Sequence, residues 1–441
     1  MMKLTERWST LLYHKEQARL WQDDSRFRVV PAGRRSGKTE LAKRFGVMQA
    51  MSWTHSPDGW FVFAAPTHRQ AKRIFWRDLK ALVPREMIAG KPRESEMTIA
   101  LKNGAEISVL GMDAPDRIEG RPLDWICCDE YANMKPEVWT QNLRPALSTL
   151  GRPGGAWMIG VPEGRNHYYG LAVEAQKPSM DDWSYHTWKS ASILAPEEIA
   201  AAKRDLDEQT FAQEYEASFV NFQGRAYYGF ERSKHCEVIA YNPTKPLCFC
   251  FDFNVSPGIA VVVQEHHYKG KKDKAADMVT AAIGEVHIPR NSNTPAVCRR
   301  LIADWKHHQG DVLCYGDATG GAKGTAKVAG SDWDLIRAEL KPVFGERLKF
   351  RVPRANPRER VRVNAMNARI KAADGTIGLL VNQEAAPFLV QDLEGVILLA
   401  GGSGEIDKKS TPQLTHLTDA LGYYVERVHP STQRIVTISA V

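Results

Sequence analysis

The sequence lacks any apolar run that approaches the ~18–20 residues needed to cross a membrane as a helix. Its first residues, MMKLTERWSTLLYHKEQ, are polar and include acidic side chains, which is not typical of a signal peptide or a transit peptide. Cysteine is scarce and odd in number, seven in 441 residues, and no CxxC pair occurs. We therefore expect no disulfide framework and no zinc site, but a cytosolic protein with reduced thiols.

A large excess of one charge is also absent. The chain has 59 Lys and Arg residues against 52 Asp and Glu residues, for a formal net charge of +7. So small an excess permits binding to nucleic acid but does not establish it. The hydrophobic fraction of 43% excludes wholesale disorder, and the length predicts two or three domains.

The first third of the chain alternates short apolar runs with longer polar-apolar segments, a rhythm that is typical of a parallel α/β sheet. Residues 196–219 are rich in helix formers, and a second set of strands follows NPTKP at 242–246. The predicted strands are Phe27–Pro31, Trp60–Ala65, Glu106–Leu110, Trp125–Cys128, Ala156–Val161, Leu247–Asp252 and Ile259–Gln264, and the predicted helices include Gln70–Leu82 and Pro136–Leu147.

The segment VVPAGRRSGKTELAKRF runs from a β-branched pair through a Gly-containing turn into a helix. It approaches the motif G-x-x-x-x-G-K-[ST], in which backbone N–H groups cradle phosphates, the Lys reaches the β- and γ-phosphates and the hydroxyl holds Mg²⁺. Ala32 replaces the first Gly of that motif. We therefore predict an ATP site formed by Ala32, Gly33, Arg34, Arg35, Ser36, Gly37, Lys38 and Thr39.

A second element supports this site. LDWICCDE at 123–130 is an apolar strand that ends in two carboxylates, and a P-loop enzyme needs an acid for Mg²⁺ and a group that orients the attacking water. We predict these tasks for Asp129 and Glu130, respectively. Upstream, Tyr13–His14 and Gln17 are candidates to clamp adenine, although a capping or surface role for Gln17 is an equal alternative.

Three acids of the C-terminal half lie in unusual contexts. Asp252 interrupts the apolar strand LCFCFDFNV, Asp317 ends the strand VLCYGD, and Asp419 lies in the amphipathic helix QLTHLTDALGYYV. An Asp in an apolar strand is costly unless it is paired or binds a metal. If folding brings the three acids together, they would suit two Mg²⁺ or Mn²⁺ ions in phosphodiester hydrolysis. Taken singly, Asp317 could instead cap a turn, Asp419 could face solvent and Asp252 could pair with a buried Arg or Lys.

Together, the ordered segments YHKEQARLW, AGRRSGKTE, DRIEGRPLDWICCDEYANM, IGVPEGRNHYY and FAQEYEASF resemble the large subunit of tailed-phage terminases, and DFNVSPG, YGDATGG and HLTDALGYY resemble its ribonuclease H-like nuclease domain. The resemblance implies a DNA-translocating ATPase in which Gly160–Glu163 couples hydrolysis to movement. The family often has an Arg-Gly pair before the DE strand, whereas this chain has Glu119-Gly120. Arg117 is therefore our preferred arginine finger, and the alternatives are Arg121, Arg34 and Arg35.

The resemblance implies an N-terminal P-loop NTPase parallel-sheet domain over 1–180, a small helical lid over 181–222, a linker over 223–245, a ribonuclease H-like α/β nuclease domain over 246–430 and a C-terminal tail over 431–441. The implied partners are double-stranded DNA, the phage portal protein, the small terminase subunit and further copies of the chain in a ring, expected to be a pentamer; no membrane is implied. The implied location is the host bacterial cytoplasm and, transiently, the procapsid portal vertex, outside the mature virion.

Some assignments stay open at this level. Glu285 and His416 are candidates to join the carboxylate site, and the basic stretch Arg351–Lys371, with KGKKDK at 269–274 and Lys323, is a candidate DNA track. A helicase or repair-type ATPase-nuclease has the same two chemistries, but would unwind DNA without a capsid. A non-enzymatic portal-docking adaptor would bind ATP without turnover, which the intact motif residues argue against.

Overall fold

The computed structural model describes residues 8, 14–220, 224–253, 257–268, 275–290, 292–318, 331–399, 404–410 and 414–430. The chain divides into two compact units: unit 1 comprises Met1–Ile199 and Ala212–Asn221, and unit 2 comprises Ala200–Phe211 and Phe222–Val441. Within the described ranges, no helix is both long and apolar enough to cross a membrane.

Unit 1 is built on a twisted sheet with helices on both faces. Its described strands are β1 (Phe27–Pro31), β2 (Trp60–Ala65), β3 (Thr98–Ala100), β4 (Glu106–Gly111), β5 (Trp125–Cys128), β6 (Ser148–Thr149), β7 (Arg152–Pro153), β8 (Gly155–Gly160) and β9 (Trp183–Tyr185). The main sheet has the order β3-β4-β2-β5-β8-β1-β9, and its strands are parallel except for the β3–β4 pair. Strands β1, β2 and β5 are buried along their whole length, as expected for a parallel sheet covered on both faces.

The helices of this part of the chain are interrupted more often than the sequence predicts. They are α1 (Lys15–Gln22), α2 (Lys38–Met51), α3 (His68–Ala71), α4 (Arg77–Leu82), α5 (Arg144–Ala146), α6 (His167–Glu174), α7 (Pro196–Asp205) and α8 (Glu208–Glu216), with π-helical turns at Lys72–Trp76 and Val138–Leu143 and 3₁₀ turns at Arg85–Met87, Pro115–Ile118, Tyr131–Asn133 and Ser190–Ser192.

The predicted strands of this unit are confirmed, three with the same bounds and the other two within one residue. The predicted helix Gln70–Leu82 is continuous but contains a π-helical turn, and Pro136–Leu147 is mostly such a turn. The helical stretch predicted over 196–219 is two helices. Asp207 separates them, because its side chain accepts hydrogen bonds from the N–H groups of Gln209 and Thr210 and so begins α8.

Unit 2 contains a mixed sheet. Its described strands are β10 (Leu247–Asp252), β11 (Gly258–His267), β12 (Ala275–Ile288), β13 (Val312–Gly316), β14 (Leu348–Phe350) and β15 (Ile377–Val381), and its helices are α9 (Arg232–His235), α10 (Thr294–Trp305), α11 (Asp332–Phe344), α12 (Glu359–Ile370), α13 (Pro387–Gly395) and α14 (His416–Val428), with a 3₁₀ turn at Gly345–Arg347. The strand order is β14-β13-β10-β11-β12-β15. Strands β10, β11 and β12 are antiparallel neighbours, whereas β13 and β14 run parallel to β10. The α/β class predicted for both halves of the chain is confirmed.

The described part of the predicted linker 223–245 packs within unit 2. Ala226 N donates to Val396 O at 2.8 Å, and Glu237 N donates to Val381 O at 3.0 Å. Tyr227 and Phe230 of this segment are buried, so their apolar surface is removed from water and stabilises the packing. The limits predicted for the lid, the linker and the two domains remain proposals.

Candidate nucleotide site and carboxylate site

The turn between β1 and α2 carries the residues predicted to bind phosphate. Gly37 immediately precedes α2 with a φ of 79°, and Arg35 also lies in the left-handed region with a φ of 54°. A Cβ atom at Gly37 would lie 2.5 Å from Gln17 Nε2, so only glycine fits there without displacement. Lys38 Nζ donates to Gly33 O at 3.3 Å, which folds the lysine back over the turn. The loop thus has the compact form that a phosphate cradle requires.

The acid pair follows β5 and contacts this turn. Thr39 Oγ1 donates to Asp129 Oδ2 at 2.8 Å, and the backbone N–H of Glu130 donates to Asp129 Oδ1 at 2.9 Å. A hydroxyl and a carboxylate at this separation are hard oxygen donors of the kind that Mg²⁺ takes, so these residues fit the predicted ion. Glu130 has a φ of 54°, a conformation that non-glycine residues adopt mainly at functional turns.

Burial dominates the electrostatics of the nucleotide site. It raises the pKa of Asp129, against the attraction of the Lys38 ammonium. It also raises the pKa of Glu130, and the charge of Asp129 acts in the same direction. Burial lowers the pKa of Lys38, although both carboxylates oppose this shift. Three ionisable groups with perturbed pKa values in one place are typical of a functional site.

The end of β8 lies between the phosphate turn and the acid pair. Because β8 is the strand between β1 and β5, the N–H of Ala32 donates to Gly160 O at 3.0 Å. A Cβ atom at Gly160 would lie 3.3 Å from Tyr131 N and 3.5 Å from Glu130 Cα, so backbone approaches backbone closely there. The predicted coupling segment Gly160–Glu163 therefore begins in contact with both halves of the site.

The candidate arginine fingers occupy different places. Arg121 binds Glu106 at 2.6 Å and covers the Trp60 ring at 4.7 Å, which places it at the starts of β4 and β2. That edge is opposite to the carboxyl ends that carry Asp129. Arg34 Nη2 pairs with Glu214 Oε2 at 2.5 Å. Arg117 follows the carboxyl end of β4, is exposed, and forms no ion pair with any residue that the structure describes.

The candidate adenine residues contact the turn from its other side. Gln17 Nε2 donates to Ser36 O at 3.4 Å, while Gln17 Oε1 accepts from the N–H of His14 in a capping box. The side chain thus performs the capping role and also contacts the site. Trp188, which the sequence analysis did not select, donates to the same Ser36 O at 2.9 Å and packs against His14. Tyr13 lies outside the described residues.

Two of the three predicted nuclease acids are brought together by strand pairing. Phe251 of β10 is the register partner of Gly316 of β13, so the next residues along, Asp252 and Asp317, leave the parallel pair at the same edge. Parallel strands lie ~4.8 Å apart, which puts the two carboxylates within reach of one ion. Asp317 Oδ1 accepts from Asn356 Nδ2 at 2.6 Å. His416 Nδ1 lies 3.3 Å from Asp252 Oδ2, which places His416 at this site.

The third predicted acid, Asp419, feels the charge of Asp252 but pairs with two basic side chains. Asp419 Oδ1 lies 2.6 Å from Arg362 Nη2, and Asp419 Oδ2 lies 3.3 Å from Lys408 Nζ. Burial raises the pKa of Tyr423, the Arg362 charge opposes this shift, and the charges of Asp317, Asp252 and Asp419 raise it further. The charges of all three acids therefore act on one tyrosine hydroxyl. Even so, the described ranges contain no group of three or more His, Cys, Asp or Glu side chains arranged to hold a metal ion.

The remaining candidates of unit 2 are placed as follows. Both carboxylate oxygens of Glu285 accept from N–H groups at the start of α13, those of Phe388 at 2.9 Å and Leu389 at 2.8 Å. Within the basic stretch Arg351–Lys371, the side chains of Arg362 and Arg369 are engaged in ion pairs inside the unit, whereas Arg351, Arg354 and Arg358 are exposed. The segment 269–274, Lys323 and the tail 431–441 lie outside the described residues.

A further acid, Asp392, was missed. It is buried on α13, and its Oδ2 accepts from the N–H of Leu417 at 3.0 Å, at the start of α14. Burial raises its pKa to about 7, although backbone hydrogen bonds from α14 oppose the shift. The only signal in the sequence is an acid within the apolar run PFLVQDL. Asp392 fixes the helix that carries His416 and Asp419.

The chain is similar in sequence to known phage proteins. Residues 30–234 match the family model described as terminase large subunit, T4likevirus-type, N-terminal. The terminase large subunit of Thermus phage G20c is 24% identical over 290 residues, which cover 56% of this chain and 59% of that protein. The large subunit of Escherichia phage T5 is 27% identical over 221 residues, which cover 48% of this chain and 49% of that protein. The chain thus spans between 49% and 59% of the length of these curated relatives.

The fold as a whole also has a solved counterpart. The large terminase of the thermophilic bacteriophage D6E superposes with a TM-score of 0.59, at 16% sequence identity, over 95% of this chain and 99% of that one. At this identity the likeness establishes the fold alone. With the family model over 30–234, it confirms the predicted resemblance to the large subunit of phage terminases.

Proposed function

We propose that this chain is the ATP-hydrolysing large subunit of a viral DNA-packaging motor, which drives double-stranded DNA into a procapsid and cuts it at the start and end of packaging. The observation that carries the proposal is the 2.8 Å contact between Thr39 of the phosphate turn and Asp129 of the acid pair. Solved relatives from phage D6E were determined with ADP and with ATP-γ-S, which supports ATP as the nucleotide.

In the proposed ATPase, Lys38 binds the β- and γ-phosphates, and Thr39 and Asp129 hold Mg²⁺. The ion, when bound, neutralises charge on the phosphate oxygens. Glu130 is the general base that orients the attacking water. Its raised pKa, caused first by burial and then by the charge of Asp129, favours proton uptake during the reaction.

We assign the arginine finger to Arg117. An arginine finger must be free to reach the γ-phosphate of a bound nucleotide, in its own subunit or in the next one of a ring. Arg117 is exposed near the carboxyl edge of the sheet, whereas the alternatives Arg121 and Arg34 are occupied by Glu106 and Glu214. Arg35, in the turn itself, remains the other candidate.

The nuclease activity is assigned to unit 2, with Asp252, Asp317 and Asp419 as its acids. In the sheet of unit 2, β12, β11 and β10 are antiparallel to their neighbours, and β13 and β14 run parallel to β10. This strand arrangement supports the ribonuclease H-like assignment. Divalent cations, Mg²⁺ or Mn²⁺, are the proposed cofactors, because the carboxylates of Asp252 and Asp317 fit their preference for hard oxygen ligands. The exposed Arg351, Arg354 and Arg358 are the proposed contacts to DNA phosphates.

The proposed partners are double-stranded DNA, a portal protein, a small terminase subunit and further copies of this chain in a ring. The name terminase, large subunit, carried by the relatives from phages G20c and T5, supports the small subunit among these partners. The proposed place of action is the host cytoplasm, at the portal vertex of the procapsid.

The test is packaging itself. Purified chain, procapsids carrying portal, linear DNA and ATP are combined, and DNA that becomes resistant to DNase is measured. We expect ATP-dependent protection that is lost without procapsids. Strand unwinding in solution, with no protection of DNA, would instead favour the helicase alternative.

A further inference from the structure

The carboxylate of Asp419 is held between two cations of the protein itself. Arg362 Nη2 lies 2.6 Å from one oxygen, and Lys408 Nζ lies 3.3 Å from the other. The Arg362 and Asp419 side chains are only 6% and 7% exposed, so water screens their attraction weakly. The Arg362 guanidinium is also stacked over the Tyr423 ring at 4.4 Å, which fixes its position. Both oxygens of Asp419 therefore already face a positive charge.

The two strand acids have different surroundings. Asp252 and Asp317 lie side by side at the ends of β10 and β13, and the contacts described for their carboxylates are to His416 and Asn356. Mg²⁺ typically keeps several waters and is bound through one or two carboxylates together with substrate phosphates. This pair of acids matches that donor set. A third carboxylate is not available to an ion without rearrangement, because binding one at Asp419 would leave the buried guanidinium of Arg362 without its partner, which is strongly unfavourable.

Building on the nuclease activity proposed above, we propose that this centre binds one divalent cation, between Asp252 and Asp317, and that Arg362 and Lys408 replace a second cation beside Asp419. Arg362 is the positioning residue that neutralises Asp419. Lys408 is the exposed partner: its side chain is 49% exposed, and its ammonium also lies 2.8 Å from Glu359. That ammonium faces solvent and is the group placed to contact a DNA phosphate.

The first experiment counts ions. Mn²⁺ binding to the full chain is titrated by calorimetry without nucleotide or DNA, for wild type, Asp252→Asn and Asp419→Asn. Any Mn²⁺ bound in unit 1 contributes equally to every titration, because the variants leave the nucleotide site unchanged. The difference in ion count between wild type and a variant therefore reports on unit 2 alone. We expect wild type to bind one ion more than Asp252→Asn, and Asp419→Asn to bind as many ions as wild type. A difference of two ions, or loss of an ion in Asp419→Asn, would overturn the proposal.

The second experiment tests Lys408, which is exposed and can be replaced without disturbing the core. Lys408→Met removes the charge but keeps the length, and we expect plasmid cleavage to fall about tenfold or more with the Mn²⁺ count unchanged. Lys408→Arg keeps the charge and is expected to retain most of the cleavage. Lys409→Met, at the neighbouring exposed lysine, is the matched control and should cleave normally.

The opposite result for Lys408→Met is equally informative. If Lys408 does not do the work of a cation in cleavage, its removal should leave cleavage unchanged or raise it. Either result would overturn the role proposed for Lys408 while leaving the nuclease in place. If wild type binds no more Mn²⁺ than Asp252→Asn and cuts no plasmid, the proposed nuclease and this inference both fail.

Discussion

Asp129 and Glu130 are neighbours in the chain but have different surroundings. Both oxygens of Asp129 accept hydrogen bonds, one from Thr39 and one from the N–H of Glu130. Glu130 follows Asp129 in the turn after the strand and adopts a left-handed φ of 54°. This difference is the residue-scale basis for assigning one acid to the ion and the other to water.

Replacing Glu130 tests that division. Glu130→Ala should lower ATP turnover at least ~100-fold, because a general base typically contributes this much, while nucleotide binding measured by fluorescence titration stays within a few fold of wild type. Plasmid cleavage should continue. Glu137→Ala, at an exposed glutamate in the following segment, is the control. Normal turnover in Glu130→Ala would remove the assignment, and loss of plasmid cutting would show that the two activities are not separable.

Arg117 and Arg121 form a second matched pair, four positions apart. Arg117→Ala should reduce DNA-stimulated ATP turnover by ~10³-fold or more if Arg117 is the finger. Arg121→Ala should instead leave turnover near normal but lower the melting temperature, because Arg121 binds Glu106 and covers Trp60 at the far edge of the sheet. Steady-state turnover and thermal unfolding of both variants check this. The reverse pattern would assign the finger to Arg121.

At the scale of the element, both candidate sites arise where parallel strands end together. In unit 1, β8 lies between β1 and β5, so the phosphate turn, Gly160 and the acid pair meet at one edge. In unit 2, β10 and β13 end side by side at Asp252 and Asp317. Crevices at the carboxyl ends of strands are the usual ligand sites of open α/β sheets.

Helix α14 is held near both ends by acids, the buried Asp392 and the half-buried Glu265. Asp392 accepts from its first N–H groups, and near its other end Glu265 of β11 accepts from Tyr424 at 2.8 Å and contacts His429 at 3.1 Å. Burial alone would raise the pKa of Glu265, but the bond to His429 and the charge of Arg369 outweigh it and lower the pKa to about 2. Ionised Glu265 thus stabilises the helix that carries Asp419.

This network predicts a pH-dependent stability. A carboxyl with a lowered pKa in the folded state stabilises the protein above its unfolded value near 4.5 and loses that contribution as the pH falls toward about 2. Glu265→Gln should therefore lower the free energy of unfolding by up to about 3 kcal/mol at pH 7 and by less than about half of that at pH 3, which lies between the two pKa values. Denaturant unfolding at both pH values measures this, with the exposed Glu384→Gln as control. An equal effect at both values would contradict the prediction.

At the scale of the whole molecule, one chain combines a proposed nucleotide site in unit 1 with a proposed carboxylate site in unit 2. Its net charge of +7 is modest. Some of its basic side chains, such as those of Arg362 and Arg369, form ion pairs with acids of unit 2. DNA binding by this chain should therefore depend on a limited number of exposed basic groups rather than on overall charge.

Salt titration tests this view. The logarithm of the DNA association constant should fall linearly with the logarithm of salt concentration, because phosphate contacts release counterions. Replacing the exposed Arg351, Arg354 and Arg358 together by Gln should reduce the slope by about three, whereas Arg299→Gln and Arg300→Gln, on the exposed face of α10, should leave it unchanged. Fluorescence anisotropy with a duplex measures both slopes. A flat slope for wild type would contradict phosphate tracking.

The sequence by itself determined the local features of this protein. The phosphate turn, the acid pair after β5, five strands of the first sheet, three of the second and the family resemblance could be predicted, since each depends on residue types at short spacing. The apolar pattern also placed Asp317 at a strand end, but it put Asp252 inside a strand that in the structure ends at Asp252, and it could not show that β10 and β13 are neighbours.

Only the tertiary structure decided which distant side chains meet. Arg362 and Asp419 are 57 positions apart, and nothing in either segment indicates that they pair. The same holds for Trp188 at the phosphate turn, for Asp392 at the start of α14 and for the position of Arg121 at the wrong edge of the sheet. Local spacing fixes which chemical groups a segment carries, but the charge on a buried carboxylate depends on the partners that folding brings to it.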